Sequence, residues 1–416
     1  MILQQFEERN TLLQRNYQQR FSAEHTEDLL ASGVVKLITG PRRAGKSVYA
    51  LQLLRDKNFA YLNFDEEALF QNFDENLIFQ YLLEVFPDFQ YLLLDEIQNL
   101  PNWEMWVGKL YRRGVNLIVT VSNANLLSNE IATMLTGRFV QIKMFPFGYA
   151  ELLDFKKISV NYDSPTEKAA MLFHLSDFMT CGGFPEIVNA RSMTQNYLES
   201  LFDSVLLKDI TKRFKVRSTN ELYNLSNWLL ANFCNQFTVN QIVEELNLGS
   251  VNTTKKFCKF LEETYLFFYL PRYNTKLKLM QKAPQKVYVV DTGFVLAKAF
   301  ELTKDLGRLL ENVVFMELIR RGYNTMQSLF YYRTRNDKEI DFVCRSSNRI
   351  TELIQVCYDI SAAKTLKREI SALIEASDEL SCQNLTLLTY DREQNIEEQG
   401  LKINVVPVWK WFLNLQ

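Results

Sequence analysis

The chain has 416 residues, 47% hydrophobic and 23% charged, a balance that fits a globular protein and excludes a disordered or fibrous one. Its length is about three times a typical domain, which predicts two or three separately cored units. The formal charge of -2 is unevenly spread: from Lys208 to Lys286 there are 13 Lys and Arg against 6 acidic residues, net +7, which leaves -9 for the remainder and predicts a local basic surface.

The first residues, Met1 to Phe21, are polar and amphipathic without a continuous apolar run. Neither a signal peptide nor a membrane span is expected, and the protein is read as cytoplasmic with no membrane partner. The cysteines Cys181, Cys234, Cys258, Cys344, Cys357 and Cys382 show no CxxC spacing, so they read as reduced thiols rather than a zinc site or disulfide framework. His25 and His174 are the only histidines, which argues against a histidine-based hydrolase or metal centre.

Val34 to Thr39 reads as a buried strand, and Val48 to Leu54 has helical spacing. Between them lies Gly40-Pro41-Arg42-Arg43-Ala44-Gly45-Lys46-Ser47, which satisfies GxxxxGK[ST] in the strand-loop-helix context that the motif requires. Glycines let backbone N–H groups face phosphates, and the new helix contributes its positive end. Residues Gly40 through Val48 are therefore expected to hold ATP, with Lys46 on the β- and γ-phosphates and the Ser47 hydroxyl on Mg²⁺. A glycine turn with an exposed lysine is the bland alternative.

A second strand, Phe59 to Asp65, precedes a third, Tyr91 to Leu94, that runs into Asp95 and Glu96. At the carboxyl edge of a parallel sheet, Asp95 would orient the magnesium shell and Glu96 would polarise the attacking water. Strands at Asn116 to Ser122 and Phe139 to Met144 complete five, alternating with helical stretches, so a parallel sheet covered on both faces is predicted. Ser122-Asn123 closes the fourth strand, and Asn123 is placed to sense the γ-phosphate or position water, or simply to end the strand. Arg138 opens the fifth; it reads equally as a residue reaching a neighbouring subunit's γ-phosphate in a homo-oligomer and as a packing arginine.

The set GPRRAGKS, LLLDEIQNLPNW, SNANLLSNE, LTGR and FPFGYAELL resembles the bacterial and archaeal AAA-type ATPases that carry an uncharacterised C-terminal domain. Later segments extend the likeness over nearly the whole chain: TCGGFPEIV from Thr180, LLKDITKRF from Leu206, KVYVVDTGF from Lys286, LENVVFMEL from Leu310 and KEIDFV from Lys338. The resemblance implies an α/β fold in three parts: an AAA-like P-loop ATPase domain with an N-terminal helix over 1–155, a helical lid and winged helix over 156–285, and a nuclease-like domain over 286–416.

Residues 237–273 read as the winged helix. Thr238 caps a helix carrying Ile242, Val243 and Leu246, Gly249 turns the chain, and Ser250 opens a second helix carrying Phe257, Phe260 and Leu261. The second helix displays Lys255, Lys256 and Lys259, the candidate nucleic-acid contacts, and Arg272, Lys276, Lys278, Lys282 and Lys286 follow in an expected wing. Such modules also serve only as lids or interfaces.

From Leu310 onward the chain looks like a PD-(D/E)xK nuclease core, with Glu311 on a helix, Asp341 on a second strand and Gln355 on a third. In that likeness the third strand ends on a lysine, and here the position is Cys357. A neutral thiol does not replace an ammonium, so Glu311, Asp341 and Gln355 are expected to mark a degenerate site unless Lys338 or Lys364 takes the role.

The reading is an ATP-hydrolysing protein that acts on nucleic acid, DNA above all, including branched DNA. Two alternatives stay open at this point: a regulatory ATPase that switches a protein partner, and an ATP-controlled nuclease.

Overall fold

A computed structural model describes the chain except residues 21–25, 72, 124–136, 159, 161–163, 299–304 and 415–416. It contains two compact units, Met1–Pro146 with Glu263–Tyr265, and Phe147–Glu262 with Leu266–Gln416.

The first unit is built on five strands: β1 (Val35–Thr39), β2 (Phe59–Asn63), β3 (Tyr91–Asp95), β4 (Asn116–Val121) and β5 (Phe139–Lys143). All pairings are parallel and the order is β2-β3-β4-β1-β5. β1 and the apolar body of β3 are buried on both faces, which is why they read as continuous apolar runs rather than alternating ones. One exception is Lys36, wholly buried in β1. Its ammonium donates to Asn116 Oδ1 at 2.6 Å, and burial pushes it down to about 8.

Helix α1 (Ile2–Gln14) covers the edge of β2, where backbone groups would otherwise lack partners. Gln5 exchanges two 3.0 Å hydrogen bonds with the backbone of Asn63. Arg9 donates to the Phe59 carbonyl and lies 4.8 Å from the Phe6 ring and 5.0 Å from that of Phe59. Thus the polar amphipathic N-terminus is part of the first core. Helix α2 (Lys46–Leu53) follows the loop after β1 and buries Tyr49, Ala50, Leu51 and Leu53.

The second unit holds two sheets. In the smaller one β6 (Gln236–Phe237), β7 (Phe267–Pro271) and β8 (Gln285–Val289) run antiparallel in the order β6-β8-β7. Between β6 and β7 lie α3 (Val239–Glu245) and α4 (Val251–Glu263). The Thr238 hydroxyl caps α3 by accepting from Gln241 N at 3.2 Å, and Ser250 Oγ accepts from Thr253 N at 3.4 Å at the start of α4.

The larger sheet follows α5 (Leu306–Arg320). Its strands are β9 (Leu329–Arg333), β10 (Glu339–Ser346), β11 (Arg349–Cys357), β12 (Leu385–Thr389), β13 (Gln394–Glu398) and β14 (Leu401–Pro407), in the order β13-β14-β12-β11-β10-β9. β9, β10 and β11 are antiparallel neighbours, β11 and β12 are parallel, and α6 (Ala363–Leu380) joins that parallel pair. Tyr288 and Phe315 stack with centroids 4.0 Å apart, which packs β8 against α5.

Among the described residues no helix is long and apolar enough to cross a membrane. All six cysteines are free thiols.

Candidate functional site

The loop after β1 is shaped by two glycines. Gly40 has φ +153°, and a Cβ there would lie 1.8 Å from the Met144 carbonyl oxygen; Gly45, at the start of α2, has φ +90°. Backbone therefore approaches backbone where no side chain fits, and the N-terminus of α2 opens onto the loop. Lys46 is 3% exposed, its ammonium donating to the Pro41 carbonyl at 3.1 Å and facing Glu96 Oε1 at 3.4 Å. Ser47 Oγ donates to Asp95 Oδ1 at 2.8 Å.

β4 lies between β1 and β3, so its carboxyl end stands between the loop and the Asp95-Glu96 pair. Two hydroxyls from that strand organise the acids. Thr120 Oγ1 accepts from Glu96 N at 2.9 Å and donates to Asp95 Oδ1, while Ser122 Oγ donates to Glu96 Oε2 at 3.0 Å. Gln98 donates to Glu96 Oε2 and, at 2.9 Å, to Ser122 Oγ. Burial and the charge of Glu96 raise the Asp95 carboxyl to about 6. Burial also works to raise Glu96, but the Lys46 ammonium with Gln98 and Ser122 outweighs it and holds that carboxylate below its ordinary value.

This geometry fits a magnesium nucleotide. The glycine-shaped loop offers N–H groups and a lysine, and Ser47 with Asp95 offers the hard oxygen donors that Mg²⁺ takes. Among the described residues no group of three or more His, Cys, Asp or Glu is spaced to hold a metal by protein ligands alone. A metal sharing one hydroxyl, one carboxylate and the phosphates needs no such group.

Asn123 is buried just past β4, beside Ser122. Arg138 is exposed at the opposite, amino-terminal edge of the sheet, its carbonyl accepting from Val35 N at 2.9 Å and its guanidinium 5.7 Å from the Tyr111 ring. It is a strand's length from its own chain's phosphate loop. Parts of SNANLLSNE and LTGR lie outside the described residues.

Sequence reasoning missed Arg20. It is buried and donates to the carbonyls of Ala44 and Phe145, each at 2.7 Å, tying the loop's back to the segment after β5. No motif signals it, because it acts through backbone carbonyls far away in sequence.

In the second unit Glu311 and Asp341 converge, but on Lys286. Its ammonium lies 2.6 Å from Glu311 Oε1, 2.8 Å from Glu339 Oε1 and 3.2 Å from Asp341 Oδ1, with the side chain 2% exposed. Lys286, expected in the basic wing, is thus a buried residue of β8. Alternation along β8 turns it inward with Tyr288, whose hydroxyl donates to Glu311 Oε1 at 2.7 Å. Burial pulls the ammonium down, yet the three acids leave it well above its ordinary value; Asp341 is pushed well above its own by burial and by Glu311.

Gln355 Oε1 accepts from Asp341 N at 3.3 Å, and its Nε2 donates to Glu369 at 2.9 Å. Cys357, half-buried with its thiol pushed up to about 11 by burial, carries no charge for this cluster. Lys338 is bound to Glu375 at 2.8 Å and Ser371 Oγ at 2.5 Å, and Lys364 is exposed on α6, so neither takes the role suggested for it.

Lys255, Lys256 and Lys259 are all exposed on α4, whose apolar face buries Phe257 and Cys258. A cleft of about 630 Å³ is lined by Lys255, Lys259 and Lys282 together with Asn240, Gln281 and the acidic Glu262. Lys256 does not line it.

Three family models match the chain: an AAA domain over residues 32–153, and two domains of unknown function, DUF8612 over 172–305 and DUF4143 over 306–411. An uncharacterized protein of Methanocaldococcus jannaschii is 33% identical over 398 residues, covering 91% of this chain and 88% of that one. Another, from Haemophilus influenzae, is 33% identical over 392 residues, covering 90% and 94%. Among solved structures, a Walker-type ATPase of Pyrococcus abyssi aligns over 69% of this chain and 99% of its own with a TM-score of 0.45 and 14% identity. The ORC1 protein of Aeropyrum pernix, solved in complex with DNA, aligns over 69% and 95% with a TM-score of 0.32 and 12% identity.

Proposed function

The chain belongs to the family of these two uncharacterized relatives, an AAA-type P-loop domain followed by two domains of unknown function, and we propose that it hydrolyses ATP to act on nucleic acid. The observation that carries hydrolysis is the meeting of Lys46, Ser47, Asp95 and Glu96 across β1 and β3 with β4 inserted between them. Lys46 and the N–H groups from Gly40 to Val48 hold the phosphates. Ser47 and Asp95 hold Mg²⁺, which supplies charge neutralisation at the phosphates when bound. Glu96 accepts a proton from the attacking water, and Asn123, buried just past β4, senses the γ-phosphate or positions that water. Lys46→Ala should abolish tight nucleotide binding, whereas Glu96→Gln should retain binding and lose at least about a hundredfold in turnover.

Nucleic-acid action is supported by the basic stretch from Lys208 to Lys286. The sheet order β6-β8-β7 with α3 and α4 inserted between β6 and β7 supports the winged-helix reading, and α4 displays three lysines to solvent. DNA is the partner this surface suits. The α5-β9-β10-β11-α6-β12 succession supports the nuclease-like reading of the C-terminal part. Its acids Glu311, Glu339 and Asp341 are engaged by the Lys286 ammonium, so this part holds rather than cuts. Arg138, remote from its own loop, serves a neighbouring copy; specific activity should rise with protein concentration.

ATPase rate with single-stranded, duplex and branched DNA tests the proposal. Stimulation by one of them names the substrate class. Identical rates with and without every DNA, together with no DNA binding at low salt, would leave the nucleotide site switching a protein partner instead.

A further inference from the structure

Gln98 follows the acidic pair by two residues and belongs to no part of the phosphate-binding motif. Glu96 has φ +50°, and the chain then makes a short 3-10 turn over Ile97–Asn99. That left-handed step turns Gln98 back toward the residue two before it. The donors and acceptors of the resulting contacts match across three side chains. One N–H of the Gln98 amide donates to Glu96 Oε2 and the other to Ser122 Oγ at 2.9 Å. Ser122 has a single hydroxyl proton, and it goes to the same Glu96 Oε2 at 3.0 Å. One carboxylate oxygen therefore carries two donors, one from the turn and one from the end of β4. The other oxygen, Oε1, is left facing Lys46 at 3.4 Å.

We propose that Gln98, acting with Ser122, is a positioning residue for hydrolysis: by holding Oε2 of Glu96 it presents Oε1 to the space at the phosphate loop. A carboxylate free to rotate about its terminal torsion samples a broad range, because that torsion has no sharp staggered minima. Two donors on one oxygen remove the freedom. The orientation of the amide itself is set by charge. Gln98 Oε1 is buried without a hydrogen-bond partner, an arrangement that costs free energy. Reversing the amide would set that oxygen against the Glu96 carboxylate, which is worse. Bound phosphates would draw the Lys46 ammonium away from Glu96. Oε1 would then be open while Oε2 stayed held.

The inference rests on Glu96 as the carboxylate that takes the water's proton, and Glu96→Gln tests that reading separately. In the full chain, Gln98→Met keeps an unbranched side chain of similar length without donors, and Gln98→Glu keeps the shape but replaces the donor with an acceptor. Turnover at saturating ATP should fall at least about tenfold in Gln98→Met and further in Gln98→Glu, while displacement of a fluorescent ATP analogue changes by no more than about twofold. Ser122→Ala should lower turnover too, and Gln98→Met with Ser122→Ala should approach the rate of Glu96→Gln, with the two changes coupled because they hold one oxygen.

Three results overturn the proposal. The first is full turnover in Gln98→Met; the second is a loss of analogue affinity or melting temperature in step with turnover, the mark of a residue that only supports the turn. The third is Gln98→Glu equalling or exceeding Gln98→Met. If Gln98→Met does not fold, Ser122→Ala decides: unchanged turnover there means Oε2 needs no holding. Normal turnover in Glu96→Gln would remove the underlying reading instead.

Discussion

The carboxylate of Asp291 accepts a hydrogen bond from the backbone N–H of Gly183, 2.8 Å away and 108 residues earlier in the chain. Its other oxygen accepts from Gly293 N at 2.9 Å. Two landmarks that look unrelated in sequence, TCGGFPEIV and KVYVVDTGF, are therefore halves of one buried contact. Gly182 stands against it with φ +77°, where a Cβ would lie 1.7 Å from Asp291 Oδ1. Gly182→Ala should destabilise the second unit by about 3 kcal/mol or more, read by chemical denaturation. A loss below about 1 kcal/mol would mean that the contact yields easily.

Asp291 also makes a pH prediction. Burial raises its carboxyl from 3.8 to about 6, against the pull of the two N–H groups, Arg320 and Arg191. Between those values the folded chain binds a proton that the unfolded chain has released, so this group's contribution to stability falls as pH rises through the window. Asp291→Asn removes the titration. The stability of wild type relative to Asp291→Asn should therefore drop by about 2 kcal/mol from pH 4 to pH 6. A pH-independent difference would contradict the buried-carboxyl account.

Lys286→Met should cost the second unit about 3–5 kcal/mol, since Glu311, Glu339 and Asp341 lose their shared cation in a buried place. Glu339→Gln should cost less, because its side chain is 29% exposed. Wild type should show no Mg²⁺- or Mn²⁺-dependent cutting of DNA. Cleavage that disappears with Asp341→Ala would overturn the non-cutting reading, and a neutral Lys286→Met would show that the acids manage without the ammonium.

Arg20→Ala should weaken nucleotide binding by about tenfold, the scale of removing charge-assisted hydrogen bonds to the Ala44 and Phe145 carbonyls. Turnover at saturation should change by less than about threefold, because Arg20 supports the loop's back and not Glu96. Equal affinity in a nucleotide titration would dismiss it as a support.

Replacing Lys255, Lys256 and Lys259 with Ala should weaken DNA binding across sequences and flatten its salt dependence, by about 0.9 in log-log slope for each duplex phosphate that is no longer neutralised. Lys255 and Lys259 line the cleft with Lys282, so they should account for more of the change than Lys256. ATP hydrolysis without DNA should survive. An unchanged slope would make this surface a protein interface.

The local parts of this protein were legible in its sequence. Gly40 to Ser47 between a strand and a helix, Asp95-Glu96 at a strand's end, and Thr238 and Ser250 as helix starts all depend on neighbours within a few residues, so spacing alone announces them. Strand-like runs likewise mark the parallel sheet, most plainly β1 and the body of β3, which are buried on both faces. Pairings between distant segments were decided only by the tertiary structure. Strand order put β4 between the loop and the acids and so brought Thr120 and Ser122 to Asp95 and Glu96. Lys286 reads as one more wing lysine until β8 is set beside α5 and β10, where alternation along the strand points it inward to three carboxylates. Arg20 and Gln98 escaped for the same reason: the worth of a hydrogen-bonding side chain lies in the atoms opposite it, and a linear pattern does not show which atoms folding will bring there.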